Sequence, residues 1–291
     1  MLARMTRGFD FSAQAVQELA ARDVARALAE DVGDGDLTAG LVPAGRRARA
    51  RVIAREPAVI CGAPWVAEAF RQVDPEVQVR WLVGEGERCA RDQVVFEAEG
   101  PARGLLTSER TALNFLQLLS AVATKTAAYV DAVKGTRARI CDLRKTLPGL
   151  RLAQKYAVRT GGGTNHRLGL YDAVVIKENH IAAAGGVAAV LKAAQQVAAQ
   201  AAFIEIEVER LDQLREALDA GAKMVLLDNM DLPTLNEAVS INAGRAILEI
   251  SGGVTMDTVR SLAETGVDRI SIGTLTKDVK AIDFSMRLQE L

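Results

Sequence analysis

The sequence predicts an α/β protein: an incomplete parallel α/β barrel preceded by a smaller α+β domain. Beyond about residue 138, short apolar runs alternate with helical stretches, as in parallel strand–helix units. Polar residues at predicted strand ends recur every 21 or 22 positions, which favours a barrel. The residues in this series are Glu207, Asp228, Glu249 and Ser271.

The first 115 residues read as the α+β domain, and we expect segment 278–291 to complete it. A helix is predicted over Ser12–Glu30 and another over Pro64–Val73. The acidic loop after the first of these helices, Asp31–Asp36, is predicted to be a solvated turn with local Asx hydrogen bonds rather than a Ca²⁺ site. Alternating patterns predict strands over Ala48–Ala54, Val77–Val83 and Val94–Ala98.

A long helix, Thr107–Lys134, leads into a predicted barrel domain over residues 116–277. Thr107 or Ser108 is the expected N-cap, and Gly135 is expected to end the last turn. The predicted strands are Ala138–Leu143, Ala173–Ile176, Phe203–Val208, Met224–Leu227, Ala246–Ile250 and Arg269–Ile272. The predicted helices are Gln154–Thr160, Gly186–Ala199, Leu211–Ala220, Leu232–Val239 and Met256–Thr265.

The composition argues against several classes of partner. The chain has 291 residues, of which 49% are hydrophobic, and its net charge is −1, so it is predicted to be folded. Aromatic residues make up only 4% and the pI is about 6.2, which argues against nucleic acid and against a membrane surface. Neither a signal peptide nor a transmembrane segment is predicted. The three cysteines, Cys61, Cys89 and Cys141, are far apart, which favours free thiols in the reducing cytoplasm.

The small net charge hides a charge separation. Nine basic and two acidic residues lie between Arg137 and Lys177, so this segment carries +7 and the rest of the chain −8. A short cationic segment in an otherwise acidic protein predicts a local site for a small multivalent anion.

Charged residues or glycines follow each predicted barrel strand, where barrel active sites lie. They are Arg144, Lys145, Lys177, Glu207, Asp228, Asn229, Ser251, Gly252, Gly253 and Gly273. Two of these segments, Ser251–Val254 and Ser271–Gly273, follow strands and precede predicted helices. Glycine turns of this kind let backbone N–H groups approach an anion, so we expect a phosphate site there.

The run Gly161–Gly163 is followed by His166 and Arg167. Three glycines imply a close approach or unusual dihedral angles. Arginine binds carboxylates in bidentate fashion, and we expect His166 to be functional. The second histidine, His180, is expected to be structural.

Glu207 and Asp228 lie one strand–helix unit apart and can face each other across the barrel mouth. Paired carboxylates can hold Mg²⁺ near a pyrophosphate or stabilise an oxocarbenium-like sugar transition state. Glu205 and Glu209 flank Glu207 and are able to share its role. Lys177 is either a Schiff-base nucleophile or a cation for an anionic substrate, and the surrounding positive charge favours the cation.

These segments resemble the quinolinate phosphoribosyltransferase family, and the likeness covers nearly the whole chain. The central motifs are long and therefore specific. They include Ser108–Gln117, Asp142–Thr146, Pro148–Arg151, Lys155–Val158, Gly161–Asp172, Ile176–Ile181, Leu227–Asn229, Ser251–Gly253 and Gly266–Asp268, with Glu30-Asp31 and Gly35–Thr38 near the start.

The resemblance implies transfer of phosphoribosyl from phosphoribosyl pyrophosphate to quinolinate with decarboxylation, Mg²⁺, no organic cofactor, and a homodimer or larger assembly. It implies that Lys145, Glu207 and Asp228 are catalytic, the two acids near the ribose and metal. Arg110 corresponds to an arginine that a neighbouring subunit contributes. The other implied substrate contacts are Arg144, His166, Arg167 and Lys177, with Ser251, Gly252, Gly253 and Gly273 at phosphate.

Three departures from the family pattern leave alternatives open. Leu143 stands where the family usually has Thr, Glu178 where it has Asp, and Lys277-Asp278 where it has His-Ser. Leu143 adjoins Arg144, so a paralogue that acts on another aromatic acid is one alternative. A Schiff-base lyase that uses Lys177 is a second, and a non-catalytic metabolite sensor is a third. The sensor is disfavoured because carboxylates would contribute little to anion binding.

Overall fold

In the computed structural model of the protein, residues 9–290 are described, and they form two compact units. Residues 10–127, 147–162 and 277–290 form one, here called the N-terminal unit. Residues 128–146 and 163–276 form most of the other, the barrel unit. The chain therefore passes between the units within a long helix and again on either side of residues 147–162.

The N-terminal unit contains a four-stranded antiparallel sheet, in the order β12 (Phe284–Glu290), β1 (Arg47–Ala54), β5 (Val94–Pro101) and β3 (Gln78–Trp81). Burial alternates along β1, because one face of the sheet packs on the core while the other remains accessible. The predicted strands are confirmed with small shifts at their ends. Two further strands of this unit, β2 (Ala58–Val59) and β4 (Arg88–Cys89), pair with each other.

Helix α1 begins as predicted, because the Ser12 side chain accepts a hydrogen bond from the backbone of Ala15. In the acidic loop, Asp36 Oδ1 accepts from the backbone N–H groups of Thr38 and Ala39, which confirms the Asx turn. The helices that begin in this unit are α1 (Ala13–Asp31), α2 (Ala63–Val73), α3 (Ala102–Ala132) and α4 (Arg151–Thr160).

The predicted start of the long helix is wrong. Helix α3 begins at Ala102, directly after β5, so Thr107 and Ser108 lie inside it. The Ser108 hydroxyl is buried and donates to the carbonyl of Gly104, one turn back, while Thr107 donates to Asp36. Ser108 therefore bonds back within its own helix and Thr107 bonds to the acidic loop, so neither hydroxyl caps the helix.

The barrel unit contains a six-stranded parallel sheet, in the order β6 (Arg139–Cys141), β11 (Arg269–Ser271), β10 (Ile247–Ser251), β9 (Met224–Asp228), β8 (Ile204–Val208) and β7 (Val174–Ile176). In this order β6 and β7 are the outer strands, so the barrel is incomplete, as predicted. The helices are α5 (Glu178–Ala184), α6 (Val187–Val197), α7 (Leu211–Asp219), α8 (Leu232–Asn242), α9 (Val259–Glu264) and α10 (Thr274–Lys277), the last of which ends at the boundary between the units.

One outer edge of the sheet is covered by a loop. Thr164 forms a parallel bridge with Cys141 of β6. Its N–H donates to the carbonyl of Ile140 at 2.8 Å, and its carbonyl accepts from Asp142 at 3.2 Å. The segment that leads to His166 and Arg167 thus extends the sheet past β6.

Alternation along the strands separates an apolar face from a polar face. Ile206 and Val208 belong to the hydrophobic core that includes helix residues such as Leu214. Glu205 and Glu207, which alternate with them, are on the opposite face of β8. The same alternation puts the following polar residues on that face of their strands: Asp228, Glu249, Ser251, Arg269 and Ser271.

The strand register corrects one prediction. Asp228 pairs with Ser251, whereas Glu249 pairs with Leu226. Glu249 therefore lies in the middle of β10 and not at its end. No helix among residues 9–290 is long and apolar enough to cross a membrane.

Candidate active site

A cavity of about 520 Å³ lies at the carboxyl ends of the barrel strands. Predicted site residues line it together with residues that sequence reasoning did not select, among them Val175 and Leu226. The apolar pair carries no chemical signal in the sequence. The predicted residues that line the cavity are Arg144, Lys145, His166, Arg167, Lys177, Glu205, Glu207, Asp228, Asn229, Ser251 and Gly252.

Two arginines come together on one side of this cavity. Burial, together with the positive charge of Arg144, lowers the pKa of Arg167. Neighbouring cations repel each other, and a bound anion would relieve this repulsion. Arg167 also donates to the carbonyl of Ala173 at 3.4 Å, which anchors its guanidinium near β7.

The two predicted carboxylates are also close to each other. Burial raises the pKa of Asp228, and the negative charge of Glu207 raises it further. Asp228 accepts a hydrogen bond from the side chain of Asn229, at 3.1 Å. Asn229 has a φ of 53°, a left-handed conformation that asparagine adopts more readily than most residues.

Lys177 does not have the environment of a Schiff-base nucleophile. Its Nζ lies 2.9 Å from Glu207 Oε2, and its side chain is 53% exposed. This disfavours the Schiff-base alternative, because such a lysine is activated by desolvation, whereas Lys177 is solvated and paired with a carboxylate.

Two glycines allow close approaches around the cavity. At Gly252, with φ +98°, a Cβ would lie 2.5 Å from Asn229 Oδ1. At Gly273 a Cβ would lie 2.7 Å from Cδ of Lys145, so an added side chain there would displace the lysine stem. Gly253 and Gly273 do not line the cavity themselves. Gly253 follows Gly252, which does, and Gly273 approaches Lys145, which also does.

The predicted helix after Ser251–Gly253 begins later than expected. Helix α9 starts at Val259, because Thr255–Thr258 form a turn first. The glycine segment is therefore a loop, and its own backbone rather than a helix N-terminus is available to a ligand.

The three consecutive glycines have different surroundings. A Cβ at Gly161 would lie 2.4 Å from the carbonyl oxygen of Ala123 in α3, within the N-terminal unit. Gly162 has a φ of 85°. Packing and backbone conformation thus account for Gly161 and Gly162.

A buried polar layer, which we call the His166 cluster, consists of His166, Glu205, Glu249, Arg269 and Ser271. His166 and Glu205 also line the cavity. His166 Nε2 is 2.9 Å from Glu205 and 3.4 Å from Glu249. Arg269 is 3.0 Å from Glu249, which also accepts from the Ser271 hydroxyl. Sequence reasoning missed Glu249 and Arg269 as a pair, since the register that joins β10 and β11 is not visible in the sequence.

Burial sets the protonation behaviour of the two acids in this cluster. It raises the pKa of Glu205 to about 7, and the nearby Glu207 adds to the effect. Burial also raises the pKa of Glu249 to about 7, with a further contribution from Glu205. Their cationic neighbours only partly offset these effects.

Ligand atoms of His166, Glu205 and Glu249 all lie within 4.8 Å of one another, a spacing that a metal ion could bridge. The arrangement does not favour a metal, because Arg269 already places a positive charge against Glu249. Glu207 and Asp228 suit a hard cation better, since both are oxygen donors at the cavity and their mutual repulsion would be relieved by it.

The remaining predicted residues lie elsewhere. Arg110 is an exposed residue of α3 in the N-terminal unit. Glu209 is exposed beyond the end of β8, so it does not share the position of Glu207. Leu143 lines the cavity, whereas Glu178 and Lys277 are exposed.

The fold and this cavity define a class: α/β-barrel proteins with a charged pocket at the carboxyl ends of the strands, where barrel enzymes have their active sites. Residues 36–120 match the N-terminal domain of quinolinate phosphoribosyl transferase, and residues 122–287 match its C-terminal domain. The chain belongs to the quinolinate phosphoribosyl transferase family.

Named relatives agree with this assignment. The nicotinate-nucleotide pyrophosphorylase (carboxylating) of Mycobacterium leprae is 44% identical over 278 residues, covering 92% of this chain and 97% of the relative. Quinolinate phosphoribosyltransferase (decarboxylating) 1 of Nicotiana glauca is 38% identical, covering 90% and 80%. The structure of the nicotinate-nucleotide pyrophosphorylase from Francisella tularensis has a TM-score of 0.91 and 42% identity, covering 94% and 97%.

Proposed function

We propose that this chain transfers phosphoribosyl from phosphoribosyl pyrophosphate to quinolinate and releases pyrophosphate and CO₂, giving nicotinate mononucleotide in NAD biosynthesis. The observation that supports this beyond family membership is the cavity itself. It brings together Arg144, Arg167 and two lysines with the carboxylates of Glu207 and Asp228. Cations suit a dicarboxylate and a phosphorylated sugar, and carboxylates suit a cationic sugar transition state.

In the proposed reaction, the quinolinate nitrogen attacks the anomeric carbon of the ribose. A C–N bond forms, and the bond to the pyrophosphate oxygen breaks with its electron pair on the leaving group. The resulting pyridinium accepts the electron pair that remains when the adjacent carboxylate leaves as CO₂. A proton then takes the place of the carboxylate on the ring.

The residues contribute mainly orientation and electrostatics. Arg144, Arg167 and Lys177 hold the quinolinate carboxylates. Lys145 adjoins Gly273 and serves as a catalytic cation. The backbone of Ser251, Gly252 and Gly253, with Gly273, receives phosphate oxygens.

Glu207 and Asp228 stabilise positive charge at the ribose and are the residues that would hold Mg²⁺, directly or through the pyrophosphate. When bound, Mg²⁺ neutralises charge on the pyrophosphate leaving group. The ion pair between Lys177 and Glu207 orients the acid beside Asp228. No organic cofactor is required by this scheme.

The active form is a homodimer or a larger homo-oligomer, in which Arg110 of one subunit reaches the site of its neighbour. Its exposed position on α3 is compatible with such a contact. Mixing two inactive variants, Arg110→Ala and Arg144→Ala, tests this. In a mixed oligomer, a site that combines the intact Arg144 of one subunit with the intact Arg110 of its neighbour should be active. We therefore expect activity from the mixture and none from a variant that carries both substitutions.

A product assay tests the central proposal. The protein is mixed with quinolinate, phosphoribosyl pyrophosphate and Mg²⁺, and CO₂ and mononucleotide are followed together. We expect equal amounts of both products and little turnover of nicotinate, which lacks the second carboxylate. Absence of both products from quinolinate would remove the proposed function.

Variants at the cavity test its role. Arg144→Ala and Arg167→Ala should each lower kcat/KM by about 10²–10³-fold, since each loses charge-assisted contacts to an anion. Arg215→Ala, on the exposed face of α7, is the matched control and should retain activity. Near-normal rates in both cavity variants would contradict the anion pocket. Glu207→Ala with an unchanged rate and Mg²⁺ dependence would remove the role of Glu207.

One observation supports an alternative substrate. Leu143 lines the cavity and places an apolar side chain beside Arg144. A related aromatic acid that turns over faster than quinolinate would identify the chain as a paralogue, and Leu143→Thr should then shift the preference towards quinolinate.

A further inference from the structure

Both ring nitrogens of His166 are committed to protein hydrogen bonds. The backbone N–H of Arg167 donates to Nδ1 at 2.8 Å. A backbone amide always carries its hydrogen, so Nδ1 must present a lone pair. The ring proton therefore lies on Nε2.

The Nε2–H group is also occupied. Its heavy atom lies 2.9 Å from Glu205 Oε2, so this N–H donates to a buried carboxylate. His166 is 5% exposed, and its ring stands edge-on to Phe203 at a centroid distance of 5.2 Å. No ring N–H is left to donate to a substrate carboxylate.

Charged groups surround this ring on several elements. Glu205 on β8 and Glu249 on β10 face Nε2, and Arg269 on β11 balances Glu249. Asp142 accepts from the backbone N–H of His166 at 2.9 Å, and Arg167 follows in sequence. A proton added to Nδ1 would meet the Arg167 N–H at hydrogen-bond distance, so charging the ring would require this contact to break.

We propose that His166 is a neutral positioning residue, an Nε2–H imidazole that fixes the backbone of Arg167, and not a cationic ligand of the substrate. The specificity for a dicarboxylate then comes from the arginines and lysines of the cavity alone. This differs from the role that the family resemblance implies for His166. Only the kinetic part of the test rests on the proposed function.

The second histidine has the same local arrangement. The backbone N–H of Lys177 donates to Nδ1 of His180 at 2.9 Å. Each histidine of the chain thus accepts from the backbone of a residue whose side chain lines the cavity. His180 is exposed, so the shared feature is the Nδ1 contact and not burial.

Nitrogen NMR of the ligand-free, untagged protein tests the tautomer directly. The protein is labelled with ¹⁵N in histidine, and His180→Asn identifies the signals of His166 by elimination. At pH 7.5 we expect one protonated and one unprotonated nitrogen, with the couplings to ring carbon-bound protons that mark Nε2–H. Two protonated nitrogens, or an Nδ1–H tautomer, would overturn the proposal. This readout does not depend on any catalytic activity.

Two substitutions separate the two hydrogen bonds kinetically. In His166→Asn, Oδ1 can replace Nδ1 as the acceptor for the Arg167 N–H. In His166→Gln, the side-chain amide can replace Nε2–H as the donor to Glu205, but the acceptor is lost. Both variants are equally neutral, so a role as a substrate-binding cation would affect them alike.

We expect the KM for quinolinate to stay within about threefold in His166→Asn and to rise about tenfold or more in His166→Gln, with kcat less affected. Equal rises in KM would overturn the positioning role. If the wild-type protein does not turn over quinolinate, the proposed function fails, while the NMR result still decides the state of His166.

Discussion

The two units contain charged clusters of similar composition in opposite environments. On the sheet of the N-terminal unit, Arg51 lies 2.9 Å from Glu97, and Arg80 pairs with the same acid. In the barrel unit, Glu249 contacts Arg269 but is fully buried. Hydrogen bonds from Arg80 and Arg51 lower the pKa of Glu97, whereas burial raises the pKa of Glu249 to about 7. An arginine partner alone therefore does not fix the direction of the shift, because burial can exceed it.

The largest expected effect is that of Arg269→Leu. It leaves two buried carboxylates without their guanidinium, which should cost about 3–5 kcal/mol of unfolding free energy at pH 8. Urea denaturation measures this loss. At pH 5, where Glu205 and Glu249 are mostly protonated, the loss should be smaller. A loss below about 1 kcal/mol at pH 8 would mean that the buried cluster behaves like a surface ion pair.

The second prediction concerns pH. The folded pKa of Glu249 is about 7, above its ordinary value of 4.5, so the folded state binds this proton more tightly than the unfolded state. The contribution of Glu249 to wild-type stability should therefore fall by about 1–3 kcal/mol as the pH rises from about 4.5 to 7. Glu249→Gln removes this titration and should reduce the slope of unfolding free energy against pH. An unchanged slope would contradict the shift.

Glu97→Gln should show the opposite sign and a smaller size. The pKa of Glu97 is lowered, so its contribution to stability is present above the ordinary value and is lost as the pH falls. The variant should be less stable than the wild type at pH 7, and the difference should shrink towards pH 3. Thermal unfolding at both pH values measures this, and a difference that grows on acidification would be inconsistent with pairing.

The smallest effect is expected for Arg49→Gln. Arg49 lies 2.7 Å from Glu99, and both side chains are about two-fifths exposed. Solvent and salt screen such a pair, so Tm should change by no more than about 1–2 °C and less in high salt. A large change in Tm that does not depend on salt would mean that the exposed ion pairs stabilise the protein as strongly as the buried cluster does.

The sequence predicted the repeating units of the barrel well, because apolar strands such as Ile204–Val208 and Met224–Asp228 are distinct from the helices between them. It also selected Glu207 and Asp228, which end or nearly end their strands. It could not show that Glu249 lies in the middle of its strand. The spacing of 21 residues reflects the length of one strand–helix unit but does not fix the register between neighbouring strands.

Other errors have a similar physical origin. Ser108 is a residue type that commonly caps helices. It lies inside the helix and contacts Gly104 because of where the preceding strand ends, which the residue type alone does not show. His166 is separated by 39 positions from Glu205, its hydrogen-bond partner. Its tautomer therefore follows from tertiary structure, and a motif shows only that the residue is present.

The bridge between Thr164 and Cys141 also bears on whether the protein self-associates. An uncovered parallel edge strand is a template on which a second chain can add and aggregate. Here the loop that occupies the β6 edge also carries His166 and Arg167. Detachment of this loop would therefore create a self-association surface and displace an arginine of the cavity in one event. The same few backbone hydrogen bonds therefore protect the sheet edge and hold the cavity loop in place.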